Sequence, residues 1–131
     1  MTTLINGKNS EQLTATDRGL HYGDGLFETT RVHNGRIALL QYHLARLTEG
    51  CKRLDIVPPA QQQLEGEARE AAQQQQEGLI KLIVTRGSGG RGYRPQVGMN
   101  ATRILMTYPL PQEPDILTRS GGIRAGIAAT R

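Results

Sequence analysis

Between Phe27 and Leu54 a strand-forming run, an Asn-Gly pair, a second apolar run and a helical stripe follow one another without a break. Phe27 to His33 is rich in β-branched residues, which favour extended backbone. Asn34-Gly35 then accepts the two positive φ values of a tight hairpin turn, and Arg36 to Leu40 is predicted to return as the partner strand. Leu40, Leu44, Leu47, Cys51 and Leu54 recur at three- or four-residue spacing, which places them on one helical face. That helix must stop before Pro58-Pro59. The order therefore commits the chain to a hairpin leading directly into an amphipathic helix.

The flanking sequence adds elements of both kinds. Leu4-Ile5, Asn6-Gly7 and the polar residues up to Leu13 predict a small hairpin. From Ala60 to Gln76 a Gln-, Glu- and Ala-rich segment carries a thin stripe of Leu64, Ala68, Ala71 and Ala72, predicting a second helix whose glutamines form a solvated face. Gly78 is expected to end that helix, with a buried strand from Leu79 to Thr85 interrupted by Lys81. A loop rich in glycine and arginine runs from Arg86 to Asn100, and Thr102 to Tyr108 predicts the next strand. Pro109, Pro111 and Pro114 mark a linker over 109–121, after which 122–131 reads as the first strand of a second, incomplete domain. At 131 residues the chain has the length of one ordinary domain, here assigned to 1–108.

The net charge of +4 comes chiefly from arginine, whose planar fork suits carboxylate and phosphate. Basic charge alone is no evidence for nucleic acid, and an acidic small-molecule partner fits it equally well. A single cysteine, Cys51, excludes an intrachain disulfide and a cysteine-rich metal cluster and is expected to pack in the helix. No stretch approaches membrane-spanning length, and the chain reads as cytoplasmic.

Three constellations could carry chemistry. Arg46 lies beside Tyr42, Gly50 and Arg53 rather than on the leucine stripe, so it can reach the Gly23-Asp24-Gly25 turn if the hairpin folds back, or pair on the surface with Glu49. In that turn, glycines permit close backbone approach and Asp24 can cap its own turn. The segment Arg86-Gly87-Ser88-Gly89-Gly90-Arg91-Gly92-Tyr93-Arg94 suits an anion-binding nest, a mobile loop with solvated arginines, or an RNA-binding module. His21, His33 and His43 are too scattered for a local metal site, His21 and His43 are read as structural or hydrogen-bonding, and no serine, histidine and acid set supports hydrolysis.

Asp17-Arg18-Gly19-Leu20-His21-Tyr22-Gly23-Asp24-Gly25-Leu26-Phe27-Glu28-Thr29, His43-Leu44-Ala45-Arg46-Leu47 and the 86–94 loop occur in an order that resembles the N-terminal domain of fold-type IV pyridoxal-phosphate enzymes. The family includes branched-chain and D-amino acid aminotransferases, and the loop is most similar to that of bacterial 4-amino-4-deoxychorismate lyases. The resemblance implies an α+β domain with an antiparallel sheet and two helices on one side, pyridoxal 5'-phosphate as cofactor, an acidic substrate and a homodimer. It implies that Arg46 contacts the cofactor phosphate, that Tyr22 and Phe27 face substrate, and that Arg91 contacts a substrate carboxylate. Phe27 stands where some aminotransferases carry a carboxylate-binding tyrosine, and Leu20 where certain lyases carry a threonine. None of Lys8, Lys52 and Lys81 matches the family's Schiff-base lysine, so the chain is expected to be truncated, to contain no catalytic lysine and to be inactive alone.

Overall fold

The computed structural model describes residues 1–111 and 125–128. Strands β1 (Thr3–Ile5) and β2 (Lys8–Asn9) form the first hairpin. Helix α1 (Arg18–Tyr22) precedes β3 (Gly25–His33) and β4 (Arg36–Ile37). Helices α2 (Leu40–Arg53) and α3 (Gln61–Gln75) lead to β5 (Gly78–Thr85) and β6 (Thr102–Tyr108). The six strands make one antiparallel sheet in the order β2-β1-β6-β5-β3-β4. Both Asn-Gly pairs take positive φ, Asn6 and Gly7 at 51° and 79° and Asn34 and Gly35 at 49° and 68°, as their hairpin turns require.

Alternation along the central strands sorts the sheet into two faces. Val32, Ile80, Leu82, Val84 and Leu105 point toward α2 and α3, where Leu44, Leu47, Cys51 and Leu64 close the core. Ala68, Ala71 and Ala72 are the small residues through which α3 enters that core. Burying each leucine of this layer contributes about 1.5–3 kcal/mol, so the helical stripe rather than helix propensity holds α2 down. The opposite face, including Phe27, Thr29 and Arg31 on β3, is covered by neither α2 nor α3, and these three residues are exposed.

The expected α+β class and antiparallel sheet are present, with three local differences. The returning strand ends at Ile37 instead of Leu40, because Leu39 turns left-handed (φ 51°) and starts α2. The polar turn after Asp17 contains a third, five-residue helix, α1. It is too short to show a hydrophobic period, and Asp17 caps it by accepting from the Gly19 amide at 2.8 Å. Finally, Gln76 (φ 62°) closes α3, and Gly78, expected as the helix stop, opens β5. The expected 109–121 linker and 122–131 strand lie outside the described residues except at 109–111 and 125–128. Among the described residues no helix is long and apolar enough to cross a membrane.

Candidate active site

Phe27 and Glu28 are neighbours on β3 and therefore project to opposite faces of the sheet. On the open face, Phe27 is 61% exposed and, with Leu20, Ile83 and Ile104, lines an apolar depression of about 390 Å³. The ammonium of Lys81 on β5 sits 4.4 Å from the centre of the Phe27 ring, a cation–π contact that puts a positive charge beside the apolar floor.

On the helix face, Glu28 is buried, and its carboxylate accepts from three donors. Arg46 on α2 donates through Nε to Oε1 at 2.6 Å and through Nη2 to Oε2 at 2.5 Å, and His43 Nδ1 donates to Oε2 at 2.7 Å. A three- or four-residue step along α2 brings His43 and Arg46 to the same strand residue. Arg46 thus reaches neither the Gly23-Asp24-Gly25 turn nor Glu49, which pairs with Arg53 instead. β4 covers β3 only at Val32 and His33, so Arg46 and Phe27 lie on either side of a β3 edge that is otherwise without a strand partner among the described residues.

The hydrogen bonds from Arg46, aided by His43 and opposed by burial, hold the Glu28 carboxyl below its ordinary value. A carboxyl that titrates lower folded than unfolded stabilises the fold above its unfolded pKa of about 4.3, and this contribution is lost as pH falls through the folded value. In Glu28→Gln the acid unfolding curve, followed by circular dichroism, is expected to lose this part of its pH dependence. An unchanged curve would show that the carboxylate is not ionised in the pair.

Asp24 does not cap its own turn. Its Oδ2 accepts from Arg18 Nε at 2.8 Å and Arg86 Nε at 2.7 Å, which draws the two arginines onto one carboxylate. Partial burial works to raise the pKa of Asp24, but the bonds and charges of Arg86 and Arg18 outweigh it and leave the value lowered. Arg86 also donates to the Leu54 and Asp55 carbonyls at 2.6 and 2.7 Å, so this arginine is an internal fastener rather than a solvated loop charge. Tyr22 turns its hydroxyl into the loop, where it accepts from the Gly92 amide at 3.1 Å, and its ring lies against Tyr93; it does not line the apolar depression. Arg91 and Arg94 are exposed, and no hydrogen bond holds either guanidinium among the described residues.

Phe27 and Lys81 therefore meet on the open face, Arg46 stands across the β3 edge, and Arg91 projects from a loop fastened by Arg18 and Arg86. Glu28, Arg18 and Asp17 were not singled out from the sequence. Glu28 carried a signal, being an acidic residue at an inward position of β3 between Leu26 and Thr30.

Residues 25–131 match the family described as amino-transferase class IV. The chain belongs to that family. Among solved class IV structures, the 4-amino-4-deoxychorismate lyase of Pseudomonas aeruginosa is 45% identical over 86% of this chain and 42% of its own, with a TM-score of 0.80. A protein described as a hypothetical aminotransferase from Mycobacterium tuberculosis, in pyridoxal-phosphate-bound form, is 29% identical over 85% of this chain and 40% of its own, with a TM-score of 0.74. The D-alanine aminotransferase of Bacillus licheniformis is 29% identical over 92% of this chain and 45% of its own length. The class IV chain described here thus spans less than half the length of these relatives.

Proposed function

We propose that this chain is the N-terminal part of a 4-amino-4-deoxychorismate lyase, a cytoplasmic homodimer that releases 4-aminobenzoate and pyruvate. The observation that carries the reading is the 45% identity to the Pseudomonas lyase, against 29% for each of the two aminotransferases. Phe27 supports it, because an aromatic ring without a hydroxyl can pack on an unsaturated substrate ring but cannot bind an amino-acid carboxylate.

The donor set fits pyridoxal phosphate. Glu28 occupies Nε and Nη2 of Arg46, whose side chain is nevertheless 72% exposed, and this leaves Nη1 for a phosphate oxygen. When bound, the cofactor supplies an electron sink for the bond cleavage. This chain's own residues would bind and orient around it: Arg46 would hold the phosphate, Phe27 and the apolar depression would face the substrate, and Arg91 would meet a substrate carboxylate. An RNA-binding role for the 86–94 loop would rest on Arg86, Arg91 and Arg94, and Arg86 is already committed to Asp24 and two carbonyls.

The test is an enzyme of the relatives' full length, supplied in turn with 4-amino-4-deoxychorismate and with D-alanine or branched-chain amino acids plus a keto acid. Formation of 4-aminobenzoate and pyruvate as the dominant reaction is expected; transamination without 4-aminobenzoate would replace the reading with an aminotransferase. The 131-residue chain itself, mixed with pyridoxal phosphate and reduced with borohydride, is expected to show no stoichiometric adduct on Lys8, Lys52 or Lys81 by peptide mapping. A site-specific adduct on any of the three would mean that the chain carries its own cofactor-binding lysine.

A further inference from the structure

Among the described residues Arg18 is the largest fully buried side chain, 2% exposed, at a position that no site assignment above uses. A buried arginine is costly unless its nitrogens find hydrogen-bond partners. Here each of the three guanidinium nitrogens donates: Nε to Asp24, Nη1 to the Gly92 carbonyl at 2.9 Å and Nη2 to the Tyr93 carbonyl at 2.8 Å. The guanidinium also lies 4.4 Å from the centre of the Tyr22 ring, whose hydroxyl takes the Gly92 amide. Helix α1 therefore grips two successive peptide groups at the tip of the loop, while Arg86 fastens its base to the same Asp24 carboxylate.

The gripped segment needs an anchor. Gly87, Gly89, Gly90 and Gly92 all have positive φ, a conformation that glycine adopts freely and that local sterics alone do not hold. Arg91 immediately precedes Gly92, so where its backbone stands at the loop tip follows from where Arg18 and Tyr22 hold Gly92.

We propose that Arg18 is the positioning residue for the substrate loop: it fixes the 92–93 peptides so that Arg91 is presented to the acidic substrate. The inference rests on the reading of Arg91 as a substrate contact, and two measurements separate the failure of one from that of the other. Arg18→Lys retains a charge for Asp24, but an ammonium lacks the planar fork that spans Asp24 and both carbonyls. In the 131-residue chain, amide hydrogen exchange at Gly92–Arg94 should quicken by about tenfold or more in this variant, with β3 and β5 amides unchanged. In the full-length enzyme its KM for 4-amino-4-deoxychorismate should rise by about tenfold with little change in kcat, and Arg18→Lys should add almost nothing to Arg91→Ala in the double variant.

Unchanged exchange at Gly92–Arg94 in folded Arg18→Lys would overturn the grip itself. Faster exchange with an unaltered KM would instead overturn the role of Arg91, and with it the positioning function. Additive effects in the double variant would do the same. Should Arg18→Lys not fold, Tyr22→Phe removes one bond of the same grip without touching a buried charge. It should speed exchange of the Gly92 amide alone, and no change there would count against the proposal.

Discussion

Replacing Arg46 with alanine in the full-length enzyme is expected to raise the dissociation constant for pyridoxal phosphate by about ten- to a hundredfold, since a hydrogen bond to a charged group contributes about 1.5–3 kcal/mol. The effect should exceed that of an ordinary exposed arginine because Glu28 holds the guanidinium in a bidentate pair, so little rotamer freedom remains to be lost when the phosphate arrives. Alanine also leaves the buried Glu28 carboxylate with His43 alone, which lowers stability separately from cofactor affinity. Arg46→Ala combined with Glu28→Gln isolates the two effects: stability should partly return while cofactor affinity stays weak. Unaltered affinity in a folded Arg46→Ala enzyme would remove Arg46 from the phosphate site.

The second large effect is expected at Arg91. Arg91→Ala should lower kcat/KM for 4-aminobenzoate formation by about tenfold to a hundredfold while cofactor affinity hardly moves, because the partner proposed for Arg91 is a substrate carboxylate and not the cofactor. Arg94→Ala should do much less. Arg91 and Arg94 are both exposed at the tip of the same loop, so they share solvent, screening and local flexibility and differ only in which side of the gripped peptides they occupy. Arg94 is thus an internal control for a general charge effect, which would act on both alike and fall away at high salt. Equal, small losses would return the loop tip to the status of a solvated turn.

Where periodic burial decides structure, the chain was legible. β6 spans Thr102–Tyr108 as expected, and α2 begins and ends within a residue of the leucine stripe. The boundaries that differed depended on single residues in uncommon backbone states: Leu39 and Gln76 adopt positive φ without being glycine, which composition does not announce. The pairings around the candidate site were not legible. Glu49 is the acid adjacent to Arg46 on the helix surface, yet the partner is Glu28, eighteen residues away and across the helix–strand interface. Likewise Asp24 has the composition of a self-capping turn residue, and its actual partners lie at 18 and 86. Such contacts depend on how α1 and the β5 end meet in space, and a lone sequence encodes that only through the complete fold.

Cys51 sits at 0% exposure on the buried face of α2, and its thiol is pushed up by burial, away from the reactive thiolate. The chain therefore contains its own chemical clock. With a single thiol in the sequence, a disulfide reagent in excess can react only when α2 lifts from the sheet, so the labelling rate measures how often that happens. Because α2 also carries Arg46 and His43, any ligand that engages those side chains should slow the modification of a cysteine it never touches.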